Sequence, residues 1–133
     1  FVRACTQARK PGSAVLVGSV VAHLGVVNHE AIAAAKAGVE ALARSAAATY
    51  GAHSIRVNAI VPGLLRTPAT ERLFSAPQAE KQIAAQYPLK RYGTVQDGAA
   101  AIAWLLSDEA AWITGQCLPV DGGFTAVRPM VRA

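Results

Sequence analysis

Two short apolar runs rich in β-branched residues, 14–17 (AVLV) and 55–61 (IRVNAIV), flank one long Ala-rich stretch. No other feature constrains the fold of this chain so strongly. Turn formers close each run: Pro11-Gly12 and Gly18 around the first, Pro62-Gly63 after the second. Continuous apolar runs of this length, punctuated by glycine and proline, read as buried strands. The stretch between them, residues 29–50, has the period of a helix. Ile32, Val39, Ala43, Ala46 and Tyr50 fall on one face of the wheel, and Glu30, Glu40 and Arg44 on the other. Asn28 is placed to cap this helix and Gly51 to stop it. Strands joined through a helix pair in parallel, so the pattern predicts an α/β layer fold.

The rest of the chain extends the pattern. Residues 116–120 read as a third strand, closed by Asp121-Gly122-Gly123. Ser75 and Gln78 have capping-box spacing ahead of a short helix that ends before Pro88, and Thr94 and Asp97 repeat it ahead of a helix over 98–106. The expectation is three parallel strands, adjacent in chain order, with flanking helices. Residues 1–10 read as the end of a further helix. A doubly wound nucleotide fold also needs a glycine-rich turn between a first strand and its helix, to hold a pyrophosphate. Gly12, Gly18 and Gly25 lack that spacing. Residues 1–133 are therefore expected to be one partial domain: the C-terminal half of a doubly wound, Rossmann-type sheet, with the N-terminal dinucleotide-binding half absent.

Composition narrows the function classes. With 133 residues, 53% of them apolar, the chain has enough material for one core. Lys36, Glu40 and Arg44 interrupt the most apolar stretch, which leaves nothing near the ~20 residues of a membrane span. The net charge of +5 is scattered, with no basic stripe and no interleaved aromatics, and this argues against nucleic acid. Cys5 and Cys117 form neither a disulfide framework nor a metal-ligand spacing. Residues 1–10 lack the apolar core of a signal peptide. The expected setting is reducing and cytoplasmic, with no metal.

Five stretches carry a resemblance: 12–20 (GSAVLVGSV), 33–39 (AAAKAGV), 55–63 (IRVNAIVPG) with Thr67, 88–93 (PLKRYG) and 114–123 (TGQCLPVDGG). In order and at this spacing they resemble the C-terminal half of the short-chain dehydrogenase/reductase family. The resemblance implies hydride transfer between the nicotinamide of NAD or NADP and a small carbonyl or alcohol substrate. It assigns the substrate-orienting serine to Ser19 and the lysine that holds the nicotinamide ribose to Lys36. The carboxamide end of the cofactor falls to Pro62, Gly63, Leu65 and Thr67, and a variable substrate lid to residues 68–86. It also implies a homo-oligomer in which the long helix packs on its symmetry mate.

The tyrosine that should exchange the proton stands four residues before the lysine in this family. Here that position is Ile32, which has no proton to give. None of Tyr50, Tyr87 and Tyr92 precedes a lysine by four, so no shift of register restores it. His29, one turn before Ile32 and seven residues before Lys36, shares their face and is the candidate substitute donor. Two functions stay open at this point: an active oxidoreductase using Ser19 and Lys36 with water or His29, and a non-catalytic nucleotide-binding or structural homologue.

Overall fold

The computed structural model describes residues 1–128 of the chain. Helix α1 (Val2–Ala8) ends at Arg9, which takes a left-handed conformation with φ 51°. Strand β1 (Gly12–Val17) follows, then a 3-10 turn at Val20–Ala22 and the long helix α2 (Glu30–Tyr50). Strand β2 (Ile55–Pro62) runs back through the centre. Next come β3 (Leu65–Arg66), a 3-10 turn at Glu71–Phe74, α3 (Ala79–Gln86), β4 (Gly93–Thr94), α4 (Val95–Leu106) and β5 (Cys117–Val120).

The main sheet has the order β1–β2–β5, all parallel, as the alternation of strands and helices predicts. The register sets Gly12 beside Ile55 and Val17 beside Ile60, and on the other side Ala59 beside Cys117. β2 is central, and its side chains alternate between two covered faces. On one face Ile55, Val57 and Ala59 pack against Ala43 and Ala47 of α2, with Val2, Cys5, Leu16, Tyr50 and Cys117 around them. On the other, Ile60 reaches toward Gly98 of α4. Ile55, 1% exposed, contributes about 1.5–3 kcal/mol through burial alone.

Polar side chains bind the ends of these elements. Arg56 on β2 donates to the Leu105 and Ser107 carbonyls at 2.8 and 2.9 Å, which satisfies the C-terminal end of α4. Buried Asn58 donates to the Ile113 carbonyl at 2.9 Å and accepts the Gln116 N–H at 3.0 Å, stitching β2 to the loop before β5. The capping box at Thr94 and Asp97 is formed, though the helix starts at Val95 rather than at residue 98.

Two caps read from the sequence are absent. Asn28 has φ 60° and lies outside the helix; His29 takes the N-cap position and makes no side-chain cap bond. Ser75 does not open a helix either. It closes the turn at Glu71–Phe74, and α3 begins after Gln78, itself left-handed at φ 63°. Spacing alone set both expectations, and the local backbone conformation decides otherwise. No helix among the described residues is long and apolar enough to cross a membrane.

Candidate functional site

In a parallel sheet the C-terminal ends of all strands share one rim, and ligands bind outside it. β1 leaves the sheet through Gly18, whose N–H still donates to the Ile60 carbonyl at 2.8 Å. Ser19 follows in extended conformation and caps the 3-10 turn, accepting the Val21 N–H at 3.4 Å. Helix α2 packs against this turn. From it Lys36 reaches over and donates from Nζ to the Val17 carbonyl at 2.8 Å. The Lys36 ammonium therefore lies at the end of β1, bonded two residues before Ser19.

Ile32 lies one turn before Lys36 and is 46% exposed, so the tyrosine position presents hydrocarbon to the open side of the helix. His29 sits at the mouth of the same helix. Its Nδ1 lies 2.7 Å from the Val27 carbonyl. A carbonyl only accepts, so Nδ1 carries the hydrogen and Nε2 is left as the second, outward nitrogen.

Glu40 differs from the sequence expectation. The wheel places it on the solvent face, yet it is 2% exposed, and both its carboxylate oxygens lie 2.9–3.0 Å from His23 Nε2. The reason is Gly18: a Cβ there would stand 3.2 Å from Glu40 Oε1, so the missing side chain leaves the socket the carboxylate fills. Lys36 bonds to the strand instead of pairing with Glu40.

The neighbouring strand end carries the second group. Register pairs Val17 with Ile60, so Ser19 and Pro62 leave the sheet side by side. Gly63 is required by close approach: a Cβ would lie 3.1 Å from Asp121 Cα and 3.2 Å from Tyr87 Cε1. Its N–H donates to the Val120 carbonyl at 3.1 Å, and the Leu64 N–H donates to the Tyr87 hydroxyl at 2.8 Å. Burial pushes that phenol up. Thr70 then pins the segment. Its hydroxyl donates to the Leu65 carbonyl at 2.7 Å, accepts the Thr67 N–H at 2.9 Å and lies 3.1 Å from the Thr67 hydroxyl. Beside Gly63 and Leu65 a cavity of about 290 Å³ opens, bordered also by Tyr87, Arg91, Tyr92 and Asp121.

Arg66 has no part in the sequence reading, yet it ties together the segment that follows β3. It donates to both Glu71 oxygens, to Glu80 and to the Tyr92 hydroxyl, and its guanidinium lies 4.9 Å from the centre of the Phe74 ring. These partners stand five to twenty-six residues away, and no local motif announces them. Cys117 is an ordinary core thiol: burial and the nearby Glu40 charge push it up, away from a reactive thiolate.

Known proteins share this fold. A family model described as enoyl-(acyl carrier protein) reductase matches residues 1–125. A 2,5-dichloro-2,5-cyclohexadiene-1,4-diol dehydrogenase of Sphingobium indicum is 44% identical over 117 residues, 87% of this chain and 47% of that protein. Two solved structures superpose with a TM-score of 0.90. One is a candidate 2-deoxy-D-gluconate 3-dehydrogenase of Agrobacterium tumefaciens with bound NADP, 33% identical and matched over 96% of this chain and 52% of its own. The other, a 4-hydroxyisoleucine dehydrogenase complexed with NADH, is 32% identical at the same coverage. The chain spans about half the length of the curated relatives it matches.

Proposed function

The chain belongs to the short-chain dehydrogenase/reductase family, and from that premise we propose that it is the substrate- and nicotinamide-side part of an NAD- or NADP-dependent oxidoreductase acting on a small alcohol or carbonyl compound. The observation that carries this reading is the juxtaposition of the Lys36 ammonium and Ser19 at the end of β1, beside the Pro62-Gly63 turn. The residues fit the nicotinamide half of the cofactor: an ammonium donor for ribose hydroxyls, a glycine turn with no side chain in the way, and the Leu65 backbone and Thr67 hydroxyl for a carboxamide. No glycine-rich turn for a pyrophosphate is found among the described residues. In this proposal residues 1–133 form one partial domain, and the pyrophosphate is held by a preceding half of the fold.

A nicotinamide held by these residues would supply or accept the hydride. Lys36, whose ammonium keeps further donors beside its bond to Val17, would hold the ribose. Ser19 donates its hydroxyl to the substrate oxygen and fixes which face of the carbon is presented. Ile32 has no proton to exchange, so in this proposal the proton would pass through Ser19 and water. His29, whose Nδ1 is committed to Val27, keeps Nε2 and remains the candidate substitute donor.

Turnover of the intact protein with NADH or NADPH and a panel of cyclic alcohols and ketones tests this reading. An Ile32→Tyr variant should raise kcat by roughly 10²–10⁴, the usual worth of a positioned general acid. A protein that binds dinucleotide yet turns over nothing, with or without tyrosine, would be the non-catalytic homologue. Ile32 favours that second reading; relatives that are themselves dehydrogenases weigh against it.

Two further expectations belong to the same proposal. Ala31, Ala34, Ala35, Ala41 and Ala48 of α2 are exposed, a surface that suits close packing on a second copy in a homo-oligomer. Light scattering of the intact protein at micromolar concentration checks this. The proposed setting is cytoplasmic.

A further inference from the structure

Glu40 is a charged side chain with almost no water. Its side chain is 3% exposed, and its carboxylate partner among the described residues is the imidazole of His23, itself half exposed. A carboxylate is costly to bury unless hydrogen-bonded. The two nearest cations of the same helix turn elsewhere, Lys36 to the Val17 carbonyl and Arg44 to the Cys117 sulfur. A carboxylate accepts and does not donate, so His23 Nε2 carries the hydrogen that satisfies it.

The position of this pair gives it a role. Glu40 lies one turn beyond Lys36 on α2, and His23 lies four residues beyond Ser19 on the turn that leaves β1. We propose that the Glu40–His23 pair is the positioning element of the site: it fastens the Ser19 turn to the helix that carries Lys36 and so sets hydroxyl and ammonium against each other. This rests on the oxidoreductase reading above.

Other restraints on Ser19 are few. The last bond to the sheet is made by Gly18, one residue earlier. Within the turn, two backbone bonds, Ala22 N–H to the Ser19 carbonyl and His23 N–H to the Val20 carbonyl, hold its shape at 3.0 and 2.9 Å but do not anchor it to α2. The Ser19 hydroxyl bond is long, at 3.4 Å. Buried Val20 contributes apolar packing, which is not directional, and residues 25–28 are all exposed. Among the described residues Lys36 ties α2 to Val17 at the end of β1, and the directional tie from α2 to the turn beyond Ser19 is the imidazole on the carboxylate. A side chain at Gly18 would crowd both Glu40 Oε1 and the Ile60 carbonyl, each 3.2 Å from the place of its Cβ.

The test uses three variants of the intact protein. His23→Ala removes the tie, Glu40→Gln leaves the helix partner neutral, and His23→Gln keeps an N–H donor near the place of Nε2. In His23→Ala, kcat should fall about tenfold or more, because small misplacements of a reacting group are costly. Its affinity for the dinucleotide, held through Lys36, should change less than about twofold. His23→Gln should recover most of the loss and Glu40→Gln should fall between. Hydrogen exchange should quicken at residues 19–23 of His23→Ala and stay unchanged in β2. Unaltered kcat in His23→Ala, or a loss shared equally by dinucleotide affinity, overturns the proposal. If the wild-type protein binds dinucleotide but turns over nothing, the reading of function fails. The exchange measurement then decides the fastening on its own: protection at 19–23 that His23→Ala leaves intact refutes it.

Discussion

Asn58 offers the sharpest test of how the rim is held together. It is fully buried in the middle of β2, and its amide makes the two bonds that join this strand to the loop before β5. Asn58→Leu keeps the volume and removes both. The Gln116 N–H is then left without its side-chain partner in a dry place, at about 1–3 kcal/mol for an orphaned donor. The Ile113 carbonyl keeps a 3.3 Å contact from Arg56, so its loss is nearer the ordinary 0.5–1.5 kcal/mol of one hydrogen bond. Together the variant should lose about 2–4 kcal/mol, a large part of the 5–15 kcal/mol of a typical domain. Urea unfolding followed by circular dichroism should show a lower midpoint at unchanged slope.

Asn58→Asp separates the two bonds. It retains the acceptor for Gln116 but loses the donor, and at neutral pH it turns a carboxylate toward the Ile113 carbonyl. Burial raises the carboxyl above its unfolded value of about 3.9. The native state then binds more protons than the unfolded state, so stability falls as pH rises through that window and is fully present only below it. This variant should be much weaker than wild type at pH 7 and recover most of the difference near pH 4. If Asn58→Leu costs less than about 0.5 kcal/mol, or Asn58→Asp shows no pH dependence relative to wild type, the reasoning is wrong.

The remaining predictions concern the site and its surroundings. Lys36→Ala should weaken dinucleotide binding by about 1.5–3 kcal/mol, roughly 10–150-fold, in calorimetric titration of the intact protein, whereas Ile32→Ala should leave it nearly unchanged. Asp97 is held well below the usual carboxylate range by Arg91 and by the Thr94 cap. Its contribution to stability is therefore present above the unfolded value of about 4 and lost only as pH falls beneath it. Asp97→Asn should cost a fraction of a kcal/mol at pH 7, less as the solution is acidified, read from thermal midpoints. Arg66→Met should barely move the melting temperature but should speed proteolytic cleavage within residues 67–86, since Arg66 ties Glu71, Glu80 and the two aromatic rings together. Cleavage at the wild-type rate would remove Arg66 from that role.

Much of the fold is legible in the sequence because its signals are local. The apolar runs that become β1 and β2, and the long helix between them, each announce themselves within a few residues. The capping box at Thr94 and Asp97 does the same. What escapes is set by partners distant in the chain. Glu40 is buried because Gly18 lacks a side chain, and a wheel drawn on residues 29–50 alone cannot register that. The β3–β4 ladder is two residues long on each side, too short for any periodicity. Spacing also suggested caps at Asn28 and Ser75, where positive or turn-like backbone angles rule them out. Ser19, Lys36, Pro62, Gly63, Leu65 and Thr67 are proposed as site residues on resemblance, since no local pattern singles them out. The groups that support them, His23, Glu40, Arg66, Thr70 and Tyr87, became visible only once the strand exits were placed side by side.

The parallel ladder also dictates the order in which this chain acquires its shape. Every bond between strands of the main sheet joins residues on the order of forty to sixty positions apart, so no strand gains anything until a long loop has closed. Helix α2 needs only its own turns and can flicker into existence within about a microsecond. Once formed, it shortens the loop between β1 and β2 and offers Ala43 and Ala47 as the surface on which β2 condenses. The β2–β5 ladder closes the longer of the two loops and is expected to form last. Until β5 pairs, the edge of β2 at residues 59–62 is open to a neighbouring chain, and refolding yield should depend on concentration far more than the stability of the finished molecule does.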